Sequence, residues 1–188
     1  YTTYKKIPGY FIVDATNKNA SPKFVKKNMY YTPSSYFNKD ASRNIYAYTA
    51  NSGYIMMNNS PQLEIDDKGE PYYVSTLTKR YGITSRTDYK DKAVATINAR
   101  TGKINFYTNL KNKPSWLDIA VDPTTAAAQV SSWGRERNGW FNANVAWGSQ
   151  TGVMVADEGV GTEGNNDELI PMQYHNKIFY LETMTSAK

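Results

Sequence analysis

The feature that most restricts the fold is a pair of strand-type runs joined by a short turn. Ala93-Val94-Ala95-Thr96-Ile97-Asn98 leads into Ala99-Arg100-Thr101-Gly102-Lys103 and then Ile104-Asn105-Phe106-Tyr107-Thr108. β-Branched and aromatic residues suit pleated strands, and a glycine in the joint supplies the positive φ of a tight turn. An antiparallel hairpin is expected there. A second hairpin is expected over 63–78. Leu63-Glu64-Ile65-Asp66 alternates, Asp67-Lys68-Gly69-Glu70 turns, and Pro71 to Thr78 is β-rich.

A third is expected from 169–174 and 178–184, turning at His175-Asn176-Lys177. Shorter strand signals lie at 9–14 and 152–156, and 54–57 is apolar. Residues 23–31 read as a short strand or an extended arm. The polar, charged stretch 79–91 reads as a loop. Two helices are expected. The first runs from about 34 to 48 after the start signal Thr32-Pro33-Ser34-Ser35, with Asn51-Ser52-Gly53 ending it. The second runs over 123–133, with Asp122 as N-cap, Pro123 at the first helical position and Gly134 as the stop.

About seven or eight strands and two helices, dominated by hairpins, predict an α+β class with a mainly antiparallel sheet. A doubly wound parallel fold needs helices alternating with strands, and the pattern lacks that. The expected organisation is an N-terminal arm, strand and helix over 1–62. A hairpin-built α+β unit follows over 63–188 and shares one core with the first part. The chain starts at Tyr1 without methionine and stops at Lys188 without a closing Gly or Pro. Both ends read as cuts, left by leader removal or by excision from something longer.

Composition excludes more activities than it names. With no cysteine, disulfides, thiolate catalysis, zinc fingers and iron–sulfur ligation are out. His175 is the single histidine, so multi-histidine metal sites are out and a Ser-His-Asp centre has little support. It sits at an expected turn, where a histidine is more often a surface residue than a general base. Hydrophobic residues at 40% and charged residues at 21% exclude global disorder. No run of 18 apolar residues exists, so no membrane-spanning helix is expected.

The net charge of +5 is modest for nucleic-acid binding, and no nucleic-acid partner is expected. Its distribution is uneven. Residues 1–50 hold Lys5, Lys6, Lys18, Lys23, Lys26, Lys27, Lys39 and Arg43 against Asp14 and Asp40. The stretch 157–168 holds Asp157, Glu158, Glu163, Asp167 and Glu168. A basic front and an acidic back fit head-to-tail packing between copies, or simply two solvated faces. Sixteen tyrosines, four tryptophans and six phenylalanines make an aromatic-rich chain, a composition suited to interfaces and to strands.

One segment resembles a known family. Gly69-Glu70-Pro71-Tyr72-Tyr73-Val74-Ser75, a polar gap, then Ala93 to Ile104 with its Thr101-Gly102-Lys103 turn, resembles a PepSY-type repeat. Asn98 stands where that repeat usually has Asp. Pro114-Ser115-Trp116-Leu117-Asp118, and Gln129 with Trp133-Gly134, resemble large bacterial and phage proteins that carry PepSY-like modules. Tyr31 to Phe37 with Leu63 to Asp67 look like the same group. The resemblance spans roughly 7–185 and is most specific over 69–134. It implies a secreted, membrane-associated or particle-associated module without assigned catalysis, so no catalytic residue carries over.

Candidate contact residues follow from the aromatics and the charges. Trp116, Trp133, Trp140 and Trp147 cluster in sequence. Trp116 and Trp133 are expected to anchor a helix on the sheet. Trp140 and Trp147, with Arg135 and Arg137, are candidates for a sugar or peptide groove. Tyr30 and Tyr31 are candidates for a partner surface, because basic residues interleave with aromatics along an arm that can pack on a neighbouring subunit. Asp157, Glu158, Glu163 and Asp167 are candidate cation ligands, although their loop lacks EF-hand spacing. Gly159-Val160-Gly161-Thr162-Glu163-Gly164 has the glycine spacing of a dinucleotide loop. Pro171 and the strand-like 169–174 deny it the helix that motif requires. The leading expectation is a non-enzymatic, cofactor-free structural module of an extracytoplasmic or particle assembly, acting by protein–protein contact. A glycan- or peptide-binding module of the cell envelope is the alternative.

Overall fold

The computed structural model describes residues 6–14, 17, 19–33, 35–57, 60–81, 86–117, 121–139, 141–142, 145, 152–155, 170–175, 177–181 and 184–187. Backbone contacts divide the chain into two compact units, Tyr1–Ala120 and Val121–Lys188. Among the described residues there are eleven strands and two α-helices, and every pairing between strands is antiparallel. The α+β class expected from the hairpin pattern is what forms.

The first unit is organised by β5 (Pro71–Tyr81) and β6 (Arg86–Asn98). β3 (Tyr54–Met56) and β4 (Gln62–Ile65) both pair with β5, and β7 (Ile104–Tyr107) pairs with β6. Both expected turns hold. Gly69 has φ +73° and Gly102 has φ +77°, a region where any other residue is strained. Asn98 closes the second turn, its side-chain oxygen accepting from the Arg100 and Thr101 N–H groups at 3.0 and 2.9 Å.

One sheet face carries the main core. Tyr73, Leu77, Ala93, Ala95 and Ile97 meet Ala41, Ile45 and Met29 there. Ala41, Ile45 and Thr49 are the buried residues of α1 (Ala41–Thr49), four apart, so they form one stripe of the helix. Small alanines on β6 let that stripe come close to the sheet. On the other face Val74 and Val94 pack with Leu117, and Trp116 stacks on Tyr72 with centroids 4.7 Å apart. Trp116 is thus half-buried against the sheet, in a cluster that holds no α-helix residue among the described residues, rather than anchoring a helix there. Residues on both sides of position 62 share one core, and the observed division of the chain falls after Ala120.

Two elements depart from the sequence reading in this unit. The helix begins at Ala41, not near 34. The Asp40 carboxylate accepts from the Arg43 N–H at 2.8 Å and caps the helix there. Upstream, Thr32 and Ser35 join their hydroxyls at 2.5 Å, and Phe37 at φ 50° cannot extend a helix. Residues 79–91 are not a loop throughout. Lys79–Tyr81 continue β5 and Arg86–Asp91 begin β6, paired as Lys79↔Asp88, Arg80↔Thr87 and Tyr81↔Arg86. Their polarity marks a strand extension beyond the core, which periodicity alone does not separate from a loop. Residues 23–31 resolve into β2 (Lys23–Met29), which pairs with β1 (Ile7–Ile12) as a separate two-stranded ribbon.

In the second unit α2 (Pro123–Arg135) starts as expected. Asp122 accepts from both the N–H and the hydroxyl of Thr125, at 3.0 and 2.6 Å, and Pro123 opens the helix. Gly134 lies inside α2 rather than ending it, and Glu136 is the C-cap. Trp133 is 57% exposed with the Arg137 guanidinium 5.2 Å over its ring, so it does not anchor the helix in a core. The unit has two ribbons. β8 (Gly152–Val155) pairs with β11 (Met184–Ala187), and β9 (Ile170–Tyr174) pairs with β10 (Lys177–Leu181). The last hairpin therefore stops at Leu181, and Met184 belongs to a different ribbon.

Candidate interaction surface

The β1–β2 ribbon is fixed at its base and open toward its far end. At the base, Met29 is buried in the main core. The Tyr30 and Tyr31 N–H groups both donate to the Ala99 carbonyl, at 2.8 and 2.9 Å. The Tyr10 hydroxyl donates to the Gly69 carbonyl at 2.9 Å. Lys27 pairs with Glu70 at 2.5 Å, and Arg100 donates to both oxygens of the same carboxylate at 2.9 and 3.0 Å. One carboxylate therefore ties the ribbon to both hairpin turns. The Lys27 hydrogen bond, against the opposing effect of burial and with the help of Arg100, holds the Glu70 carboxyl below its ordinary range.

Beyond this base the ribbon turns apolar. Phe11 and Phe24 are directly opposite in the ladder, with ring centroids 5.1 Å apart. Phe11 is 68% exposed and Phe24 45%. Ile7, Ile12 and Val13 are also exposed, Ile12 on the opposite face of the ribbon from Phe11. Two such phenylalanines leave on the order of 200 Å² of ring surface in water. An apolar patch of a few hundred Å² is the size of the largest one on a typical monomer, and such a patch is often functional. Gly9 is required here, since a Cβ at that position would overlap the Val25 carbonyl and meet the Phe24 ring. Exposed Lys6, Lys23 and Lys26 border the patch and have no partner among the described residues.

The β9–β10 ribbon carries a second band. Met172 lies directly opposite Phe179, and strand alternation places Tyr174 and Leu181 on the same face. All four are exposed, with Phe179 at 46% and Tyr174 at 62%. The Tyr174 ring lies 6.3 Å from Phe179 and 4.1 Å from His175. His175 is an exposed turn residue with φ 49°, where sequence reading placed it.

The other candidate residues scatter. Tyr30 is exposed beside the ribbon base. Tyr31 is half-buried, with Lys39 donating to its hydroxyl at 2.8 Å and its ring lying over Gly102. It is part of the scaffold. Arg135 ends α2, and Arg137 covers Trp133. Trp140, Trp147, Asp157, Glu158, Glu163 and Asp167 lie outside the described residues. Among the described residues no group of three or more His, Asp or Glu is placed to hold a metal ion. No helix among them is long and apolar enough to cross a membrane. A groove of about 350 Å³ beside α1 is lined by Pro33, Asp40, Ser42, Arg43, Tyr46, Met56 and Ser60. Its carboxylate caps the helix.

The pairing of Phe11 with Phe24 escaped the sequence reading, although the signal was present. Two strand-type runs flank the loop Asn17-Lys18-Asn19-Ala20-Ser21-Pro22, which is hairpin punctuation. No family model, no curated protein and no solved structure matches this chain.

Proposed function

We propose that this chain is a non-enzymatic interaction module of an extracytoplasmic or particle assembly, and that it works by protein–protein contact through the β1–β2 ribbon. The observation that carries the reading is the exposed Phe11–Phe24 pair on a ribbon whose base is fixed by core packing, hydrogen bonds and ion pairs. A rigidly presented apolar patch loses little conformational freedom on binding, so contact there is efficient. A lipid surface is a poorer match. The polar loop that joins β1 to β2 lies beyond the apolar residues and would have to enter the bilayer first.

A PepSY-like identity is part of the proposal. It is supported by the two hairpins with their glycine turns, and by Asn98 capping its turn as the family's aspartate would. The extracytoplasmic or particle setting is supported by the cysteine-free, tyrosine-rich composition. The glycan or peptide alternative depends on Trp140 and Trp147, and no described geometry favours it.

The test is fractionation of the native source expressing either the wild-type chain or a Phe11→Ser/Phe24→Ser variant. The wild type is expected in a large assembly and the variant in a free, low-mass fraction. A variant that stays in the assembly in full amount defeats the reading.

A further inference from the structure

The register of the β1–β2 ribbon divides its side chains between two faces. Tyr10 turns toward the body of the first unit, where its hydroxyl donates to the Gly69 carbonyl. Phe11 follows Tyr10 and therefore lies on the other face, directly opposite Phe24. Strand alternation places Lys26 beside Phe24 on that face. Lys26 stands opposite Gly9, which offers it no cross-strand side chain, and the Phe24 ring leans over the glycine instead. Lys6 and Lys23 are also exposed, and none of these three lysines has a partner among the described residues. Lys27 differs, because Glu70 already compensates its charge. The aromatic pair thus sits within uncompensated positive charge.

We infer that the occupant of this face is an acidic segment of another protein, which lays apolar side chains on Phe11 and Phe24 and brings a carboxylate to Lys26. This rests on the protein–protein reading above and names the chemistry of the partner. Charge complementarity selects it, since carboxylates supply the charge the three lysines lack and steer the encounter. A second copy of the ribbon would instead oppose like charges. The apolar band on β9–β10 offers no acid either, because the sequence from 170 to 181 holds Lys177 as its only charged residue. Single-stranded nucleic acid is a weaker match. Successive bases stack on flat ring faces, and Phe11 and Phe24 turn at 53° to each other. The face is small, so the Kd for one such segment is expected to be about micromolar or weaker.

The test is fluorescence anisotropy of the full chain with three labelled probes. The first is a short peptide alternating Glu with Phe or Leu, the second its Lys-for-Glu counterpart, and the third oligo-dT. The acidic peptide should bind at least about tenfold more tightly than the basic one. Raising salt to about 0.5 M should weaken it. Lys26→Glu should weaken it about fivefold, while Lys26→Arg should keep it. Phe24→Ser should abolish it, with circular dichroism to check folding and Phe11→Ser as the second variant.

Equal binding of the two peptides overturns the inference. So does no binding of the acidic peptide at about 500 µM chain, a Lys26→Glu variant that binds as the wild type does, or tighter binding of oligo-dT, which would make the occupant a nucleic acid. If the acidic peptide is not bound while the double phenylalanine variant still leaves the native assembly, the partner is a protein of other chemistry. In that case this inference fails and the reading above stands.

Discussion

Glu70 is the residue that ties the ribbon to the body, through Lys27 on one side and Arg100 on the other. Lys27 and Arg100 lower its pKa, so its contribution is full above the ordinary carboxylate value of 4.5 and is lost as pH falls through the lower folded value. Glu70→Gln should cost about 1 kcal/mol of unfolding free energy at about pH 7. The difference from wild type should shrink at an acid pH below 4.5. Urea unfolding at both pH values checks this, and a difference that persists in acid contradicts it. Gly102→Ala should be worse, costing at least about 1 kcal/mol, because φ is positive there and the Tyr31 ring covers the site. At this scale the sequence was informative where chemistry is local. Gly69, Gly102 and the Asp122 cap could be read directly. The Glu70 hub could not, because Lys27 and Arg100 reach it from distant parts of the chain.

Among the elements, β5 and β6 organise the first unit, and Leu77 sits fully buried between them and α1. Leu77→Ala should cost roughly 2–5 kcal/mol, measurable as a lower urea midpoint. Phe11→Ser with Phe24→Ser removes more apolar surface yet should change stability by no more than about 1 kcal/mol, since both rings are exposed. A large loss would mean the pair belongs to the core. Hairpins with a glycine turn were legible because alternation and turn chemistry lie close together in sequence. The strand extension over 79–91 was not, since its polar and charged residues follow no hydrophobic period. The start of α1 was misplaced because Thr32 and Ser35 bond to each other, leaving the cap to Asp40. Trp133 was misplaced because its face of α2 meets Arg137 rather than a core.

For the whole molecule, the division after Ala120 leaves the main core and its two covering layers within the first unit. A chain of residues 1–120 should fold cooperatively by itself, giving dispersed amide signals in solution. The fold class was legible in the hairpin pattern. The pairing of β8 with β11 was not, because those strands lie far apart in sequence and nothing local links them. The central claim is that the β1–β2 ribbon is where this protein meets its partner. The most direct test replaces Phe11 with a photo-reactive benzoyl-phenylalanine and irradiates the native source, with exposed Lys111 replaced as the control. A discrete cross-linked product from position 11 and none from position 111 is the predicted result. No cross-link from position 11, or equal cross-linking from both, would contradict the account.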